Sequence, residues 1–277
     1  MHGMGIKSHD AVTFTATDMP APSSHSFCRG DAVAYTTRSP DKDTDNEDSI
    51  GLIPCDDVSG VLVIADGLGG MRLGDLASKQ VIDSLLATVT AIENNSDLLR
   101  EAILNGVEQA HETITSSLNG AASTVAIVQI TDNEIRPYHV GDSVILITGQ
   151  RGKIKYQSTP HSPVGYAVES GLINEADALY HEERHLISNA IGTDPMHIEV
   201  GPIITLAKYD TTLVASDGIY DNFQIDEIIE IIRKGDLHTV ADNLKTICQE
   251  RMASVNAETP QKPDDMSFIL YRSCGRL

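Results

Sequence analysis

Carboxylates mark the places where apolar runs of this chain stop or start. The run Val61–Ala65 stops at Asp66-Gly67, and Leu213–Ala215 leads into Ser216-Asp217-Gly218. A third acidic pair, Asp264-Asp265, stands just before Met266–Tyr271. Short apolar runs bounded by turn residues read as buried strands, so each acid sits at a strand end. A buried carboxylate without a partner is costly, and several converging on one place repel each other. Protonation or a bound cation resolves that conflict, and an oxygen-only donor set selects hard ions such as Mg2+ or Mn2+. Taken singly, each Asp-Gly is an ordinary turn signal, because Gly reaches positive φ cheaply. A fourth motif, Asn46-Glu47-Asp48-Ser49 ahead of Ile50–Ile53, repeats the theme and weakens the turn reading for the set.

Charge narrows the function classes. Lys and Arg number 20 against 40 Asp and Glu, a formal charge of 20 − 40 = −20. Sequence-blind binding to nucleic acid or to an anionic membrane needs basic surface, so neither partner is expected. Most of these acids are read as solvated surface and a few as ligands. Cys28, Cys55, Cys248 and Cys274 show no CxxC and no zinc-like spacing with His, which suggests inert thiols in a reducing compartment. No apolar run approaches the roughly 20 residues that span a bilayer, and the first residues lack a secretory apolar core. The expected location is the cytoplasm.

The first 30 residues are poorly patterned, with a short edge strand expected over Val12–Ala16. From Asp31 to the end the sequence reads as one domain. Strands are expected over Ala32–Thr36, Ser49–Ile53 and Val61–Ala65. Ala77, Val81 and Leu85 then mark one helix, and Leu99, Ile103, Val107, Ala110 and Ile114 mark another, with Ser96 as its expected N-cap. Strands Thr124–Ile130, Ile135–Val140 and Val144–Thr148 follow. An irregular stretch, rich in Pro, His, Gly and Glu, occupies residues 160–196. Ile203–Leu206 and Thr212–Ala215 return to strand, Asp226–Lys234 and Leu237–Ser254 are helical, and Ser267–Tyr271 closes as a strand. Strands and helices are segregated rather than strictly alternating, which predicts an α+β layered fold with antiparallel sheets.

Taken in order, the motifs resemble the metal-dependent protein phosphatases of type 2C, most closely the bacterial branch. The matching pieces are Asn46–Ser49, Asp66-Gly-Leu-Gly-Gly70 with Gly74 and Ala77-Ser78, Ala122-Ser-Thr124, His139-Val-Gly-Asp-Ser143, Thr159-Pro-His-Ser162, Ile191-Gly192, Ser216-Asp-Gly218 with Asp221, and Asp264-Asp-Met266. The resemblance implies a four-layer α-β-β-α sandwich, with two central antiparallel sheets flanked by helix pairs and a flap over residues 160–196. It implies two Mn2+ or Mg2+ ions and hydrolysis of phosphoserine and phosphothreonine in protein substrates. Asp66 then bridges both ions, the Gly67 carbonyl binds the first, and Asp217 and Asp264 bind the second. Glu47 acts through a water, and Asp48 supports the shell. Phosphoserine carries nearly two negative charges, and two cations both activate water and clamp an in-line displacement.

Three positions depart from that family. The Arg expected shortly before Asn46 is replaced near Asp43, leaving displaced Arg38 and Lys42 as substitutes for gripping phosphate, with Arg38 preferred for its planar fork. The place of a third-metal Asp holds Asn119 or Gly120, so a third ion is left to Asp217 or Asp221. Leu68 stands where some members carry a His acid. His161 is a further substrate-contact candidate, and Asp142 reads as a structural turn acid. Two rival functions are a non-catalytic binding module on the same fold and a phosphatase for a small phosphoester.

Overall fold

A computed structural model describes residues 10–40, 42–68, 73–118, 120–254 and 260–274. Gly69 and Gly70 of the Asp66 motif, and Asn119, lie outside the described residues. Along the chain come β1 (Val12–Thr15), β2 (Ser23–Phe27), β3 (Gly30–Thr37), β4 (Asp48–Pro54) and β5 (Ser59–Asp66). Helices α1 (Gly74–Ala91) and α2 (Leu99–Ser117) follow, then β6 (Val125–Thr131), β7 (Glu134–Val140), β8 (Val144–Thr148) and β9 (Ile154–Gln157). Two short helices, α3 (Pro163–Glu169) and α4 (Glu175–Ala178), interrupt the next segment. Then come β10 (Glu199–Val200), β11 (Ile204–Thr205), β12 (Thr211–Ala215), α5 (Asp217–Tyr220), α6 (Ile225–Ile232), α7 (Leu237–Met252) and β13 (Met266–Ser273).

The strands form two antiparallel sheets. One has the order β1-β4-β5-β6-β7, with β10 and β11 both pairing with β7; the other has the order β2-β3-β13-β12-β8-β9. The two-residue period of a strand sends alternate side chains to opposite faces, and β5 uses both. Val61, Val63 and Ala65 pack against α1 and α2. Leu62 and Ile64 turn inward, to meet Val214 and Ile269 of the other sheet. On the far side Leu213, Ala215, Phe268 and Leu270 lie under Ile228, Ile232, Leu244 and Cys248 of α6 and α7. Three apolar layers thus separate four layers of structure, the sandwich that the family resemblance implies.

Three details differ from the sequence reading. The expected edge strand over Val12–Ala16 is present as β1 on β4, but the segment before residue 31 also adds an unanticipated edge strand to the other sheet, β2 on β3. Strand β2 reads Ser-Ser-His-Ser-Phe, polar enough to hide its pairing. Strand β9 was not anticipated, because its Ile-Lys-Tyr-Gln face is mostly solvated. Ser96 opens a single 3-10 turn, Ser96–Leu98, and α2 starts without a side-chain cap.

Candidate active site and metal centre

The acids converge because the topology brings the corresponding ends of four strands together. Asp48 and Asp66 are direct partners across the β4–β5 ladder. Asp217 opens α5 just after β12, and Asp264 and Asp265 precede β13, which pairs with β12. Asp142 lies in the β7–β8 connection. Burial pushes the Asp66 carboxyl well up, and the charges of Asp48, Asp217, Asp264 and Asp142 push it further. Asp48 is raised by burial and then by Asp265, even though Ser216 Oγ donates to its Oδ2 at 2.9 Å. Burial and the Asp217 charge take Asp264 to about 7. Burial, Asp217 and Asp221 take Asp142 to about 8.

Two lysines enter this field. The Lys262 ammonium lies 2.7 Å from Asp217, 2.8 Å from Asp221 and 3.0 Å from Asp264. Lys42 donates to Glu47 Oε2 and, at 2.7 Å, to Asp265 Oδ2. Burial disfavours the Lys42 charge, but the bonds to Asp265 and Glu47 win and hold its pKa above the usual lysine value. Asp265 also accepts from the backbone N–H groups of Ser39 at 2.8 Å and Glu47 at 2.7 Å. It therefore fixes the loop that carries Glu47.

The residues present fit divalent cations. The donors are all oxygens, which hard ions prefer. A tethered ammonium already stands among three of the carboxylates. Two further oxygens, Asp48 Oδ1 and Asp142 Oδ1, are buried without a hydrogen-bond partner, an arrangement that normally costs free energy. Gly67 and Gly74 make the geometry feasible. A Cβ on Gly67 would lie 2.1 Å from the Gly74 carbonyl oxygen, and one on Gly74 would lie 2.5 Å from Glu47 Oε1. The close approach of three backbone segments, rather than room for an ion, is what demands glycine here.

The expected site residues do not all assemble. Asp48, Asp66, Asp217, Asp221 and Asp264 converge, and Glu47 joins them through Lys42 and Asp265. Arg38 does not. Its backbone N–H and Nε both go to Asp18, at 2.7 and 3.2 Å, and Nη1 reaches the Thr44 carbonyl. His161 is fully buried. Its Nδ1 accepts from the Gly141 N–H and from Asn189 Nδ2, which leaves Nε2–H to donate to Glu199 at 3.2 Å. The ring stacks on His139 at 4.3 Å. The three ligand-type atoms of His139, His161 and Glu199 sit within 4.8 Å of one another. However, His139 Nε2 donates to the Thr159 carbonyl at 2.9 Å. Both Nε2 atoms thus spend protons on acceptors, and the trio clasps the start of the 160–196 segment to β7.

Asp142, Asp265 and Lys262 were not anticipated as site residues. Asp142 was expected to cap a turn, and its carboxylate instead enters the cluster. The signal available for Asp265 was its place beside Asp264. Lys262 had little local signal, because two of its three partners, Asp217 and Asp221, lie in a distant stretch of chain.

Comparison with known proteins agrees with the geometry. The protein phosphatase 2C family profile matches residues 37–258, and the chain belongs to that family. A serine/threonine phosphatase stp of Listeria welshimeri is 26% identical over 202 residues, covering 68% of this chain and 77% of the relative. Among solved structures, a bacterial serine phosphatase aligns with a TM-score of 0.76 and 26% identity, over 89% of this chain and 98% of its own. Stp1 of Staphylococcus aureus aligns with a TM-score of 0.74 and 25% identity, over 87% and 94%. The PstP catalytic domain in complex with 2 manganese ions shares the fold at a TM-score of 0.66 and 20% identity, over 87% and 96%. No helix among the described residues is long and apolar enough to cross a membrane.

Proposed function

We propose that this protein is a Mn2+- or Mg2+-dependent protein serine/threonine phosphatase of the cytoplasm, with residues 31–277 as its catalytic domain and 160–196 as a flap. The observation that carries this reading is the convergence of Asp48, Asp66, Asp142, Asp217 and Asp264 in a buried, all-oxygen site. Asp66, the Gly67 carbonyl, Asp217 and Asp264 are the residues that would hold two ions, with Glu47 acting through a water. Asp221, beside Asp217, is the group available to a third. When bound, the ions neutralise phosphate charge and acidify the attacking water.

The protein's own groups do the rest. Ser216 orients Asp48 and leaves its Oδ1 free to accept the proton that the water gives up. That water oxygen forms the new bond to phosphorus as the bond from phosphorus to the serine or threonine oxygen breaks. The departing oxygen takes a proton from solvent and leaves as the hydroxyl, and Asp48 returns its proton to solvent. Lys42, held over Glu47 and Asp265, supplies the positive charge that meets the phosphate, in place of the expected Arg. Hydrolysis of phosphopeptides and of a small phosphoester, measured side by side with Mn2+, with Mg2+ and with chelator, tests the reading. Metal-dependent turnover of phosphopeptides is expected. Turnover confined to the small ester points to a metabolite phosphatase, and none in any arm points to a binding module.

A further inference from the structure

A cavity of about 350 Å³ opens beside the carboxylate cluster and shares Asp142, Asp217 and Asp221 with it. From there it runs beneath α3 and α4. Its wall is apolar where Val144, Val168, Phe223 and Ile225 line it, and two glutamates, Glu169 on α3 and Glu175 on α4, stand on it at exposed positions. The lining thus carries five carboxylates. Arg184 is its single cation among the described residues. That guanidinium is already engaged, donating to the Leu179 carbonyl while its charge acts on Asp221.

Besides Asp142 Oδ1, one more polar group on the wall lacks a partner. The Tyr220 hydroxyl is buried and makes no hydrogen bond. The Glu175 carboxylate, which accepts from Gln157 Nε2 at 3.4 Å, lines the same cavity as Tyr220. An apolar wall that ends in a carboxylate and an unpartnered hydroxyl oxygen suits a long aliphatic stem with a cationic head. Lysine and arginine have that form, burying their methylenes while the charge seeks a polar end. A leucine would cover the wall but leave the Tyr220 hydroxyl unpartnered, which is unfavourable. An acidic side chain would meet repulsion from Glu169 and Glu175.

We infer that this cavity receives an arginine or lysine side chain lying close to the phosphorylated residue of a protein substrate. The cation meets Glu175, Glu169 and the Tyr220 oxygen, and the stem lies along Val144, Val168 and Phe223. The inference rests on the phosphatase reading above and adds to it a substrate class, phosphosites with a basic neighbour.

The test compares one phosphoserine peptide with an otherwise neutral sequence against versions carrying Arg, Lys, Leu or Glu at successive positions on either side. At one or two of those positions, Arg should raise kcat/KM about five-fold over Ala, the scale of a partly exposed ion pair. The double variant Glu169→Gln, Glu175→Gln should remove that preference while the all-neutral peptide is hydrolysed as before. The charge reversal Glu169→Lys, Glu175→Lys should turn it toward the Glu peptide. An Arg peptide no better than its Ala counterpart at every position, a stronger preference for Leu, or a preference that survives the double variant overturns the inference alone. Failure to hydrolyse even the neutral phosphopeptide with Mn2+ present overturns the phosphatase reading, and this inference with it.

Discussion

The Lys262 ammonium sits 2.7 Å from the Asp217 carboxylate, inside the donor set expected to hold a divalent ion. It also contacts Asp221 and Asp264. Without metal, it is the charge that lets these acids lie together. With metal, it must yield ground.

Replacing Lys262 with Met should therefore have opposite effects in the two states. The metal-free protein should lose about 2–3 kcal/mol, because buried charges lose their partner. Mn2+ titrated into the variant should bind at least about ten-fold tighter and recover more thermal stability than in the parent. Calorimetric titration and thermal melts with and without Mn2+ read both effects. Unchanged affinity would show that the ammonium and the ion do not compete.

Asp217→Ala, Asp264→Ala and Asp66→Asn should each lower phosphopeptide turnover by about two orders of magnitude or more at saturating Mn2+, the scale of losing transition-state charge stabilisation. The metal-free melting temperature of Asp66→Asn should rise, since burial and four neighbouring acids oppose its charge. A folded variant that turns over at the parental rate contradicts the assignment of its residue.

Lys42→Ala should raise KM for a phosphopeptide more than it lowers kcat, because a ground-state phosphate contact is mostly uniform binding. Arg38→Ala should leave both near the parent values, since Asp18 already holds that guanidinium. Steady-state kinetics that implicate Arg38 and spare Lys42 would reverse this ordering.

His161 gives an acid-sensitive clasp. Burial and the neighbouring His139 lower its pKa to about 4, against an ordinary 6.5. Between those values the unfolded chain binds more protons than the folded one. The contribution is therefore complete above pH 6.5 and is lost as pH falls toward 4, at no more than about 1.4 kcal/mol per pH unit. The stability gap between the parent and His161→Gln, from urea unfolding at one fixed Mn2+ concentration, should narrow by about 2 kcal/mol between pH 7 and pH 5. A gap that stays constant shows the ring is not held neutral.

Gly218→Ala should cost about 3 kcal/mol and impair activity, because the new Cβ would lie 1.9 Å from the Asp265 carbonyl oxygen. Gly149→Ala serves as the comparison. Its nearest neighbour is 3.5 Å away, and its cost should stay within about 0.5 kcal/mol. Equal melting temperatures for the two variants would refute the steric argument.

Much of this architecture is legible in the sequence because the informative features are local. Val61, Val63 and Ala65 alternate with Leu62 and Ile64, and a strand that faces two cores reads as a continuous apolar run. Asp66 and Asp217 announce themselves by standing where such runs end. What could not be read depends on which distant groups meet. Arg38 looked the better phosphate ligand until Asp18, from a segment with little pattern, proved to hold it. Lys262 resembles any loop lysine until the fold draws Asp217, Asp221 and Asp264 around it. Asp142 follows Gly141, whose φ of 100° marks a turn, and that turn concealed a carboxylate aimed at the others.

The pairing of β13 with β3 has a consequence for how the protein is made. Eight register pairs, from Met266↔Thr37 to Ser273↔Gly30, join the last strand of the described chain to one of the first. The same strand also pairs with β12, so the second sheet has no centre until residues 266–273 have left the ribosome. Lys262, Asp264 and Asp265 emerge only just ahead of it. A nascent chain thus carries Asp48 and Asp66 for most of translation, and Asp142 and Asp217 for its later part, without the groups that close the cation site around them. The proposed cation site is therefore complete only once the last strand and the residues just ahead of it have been made.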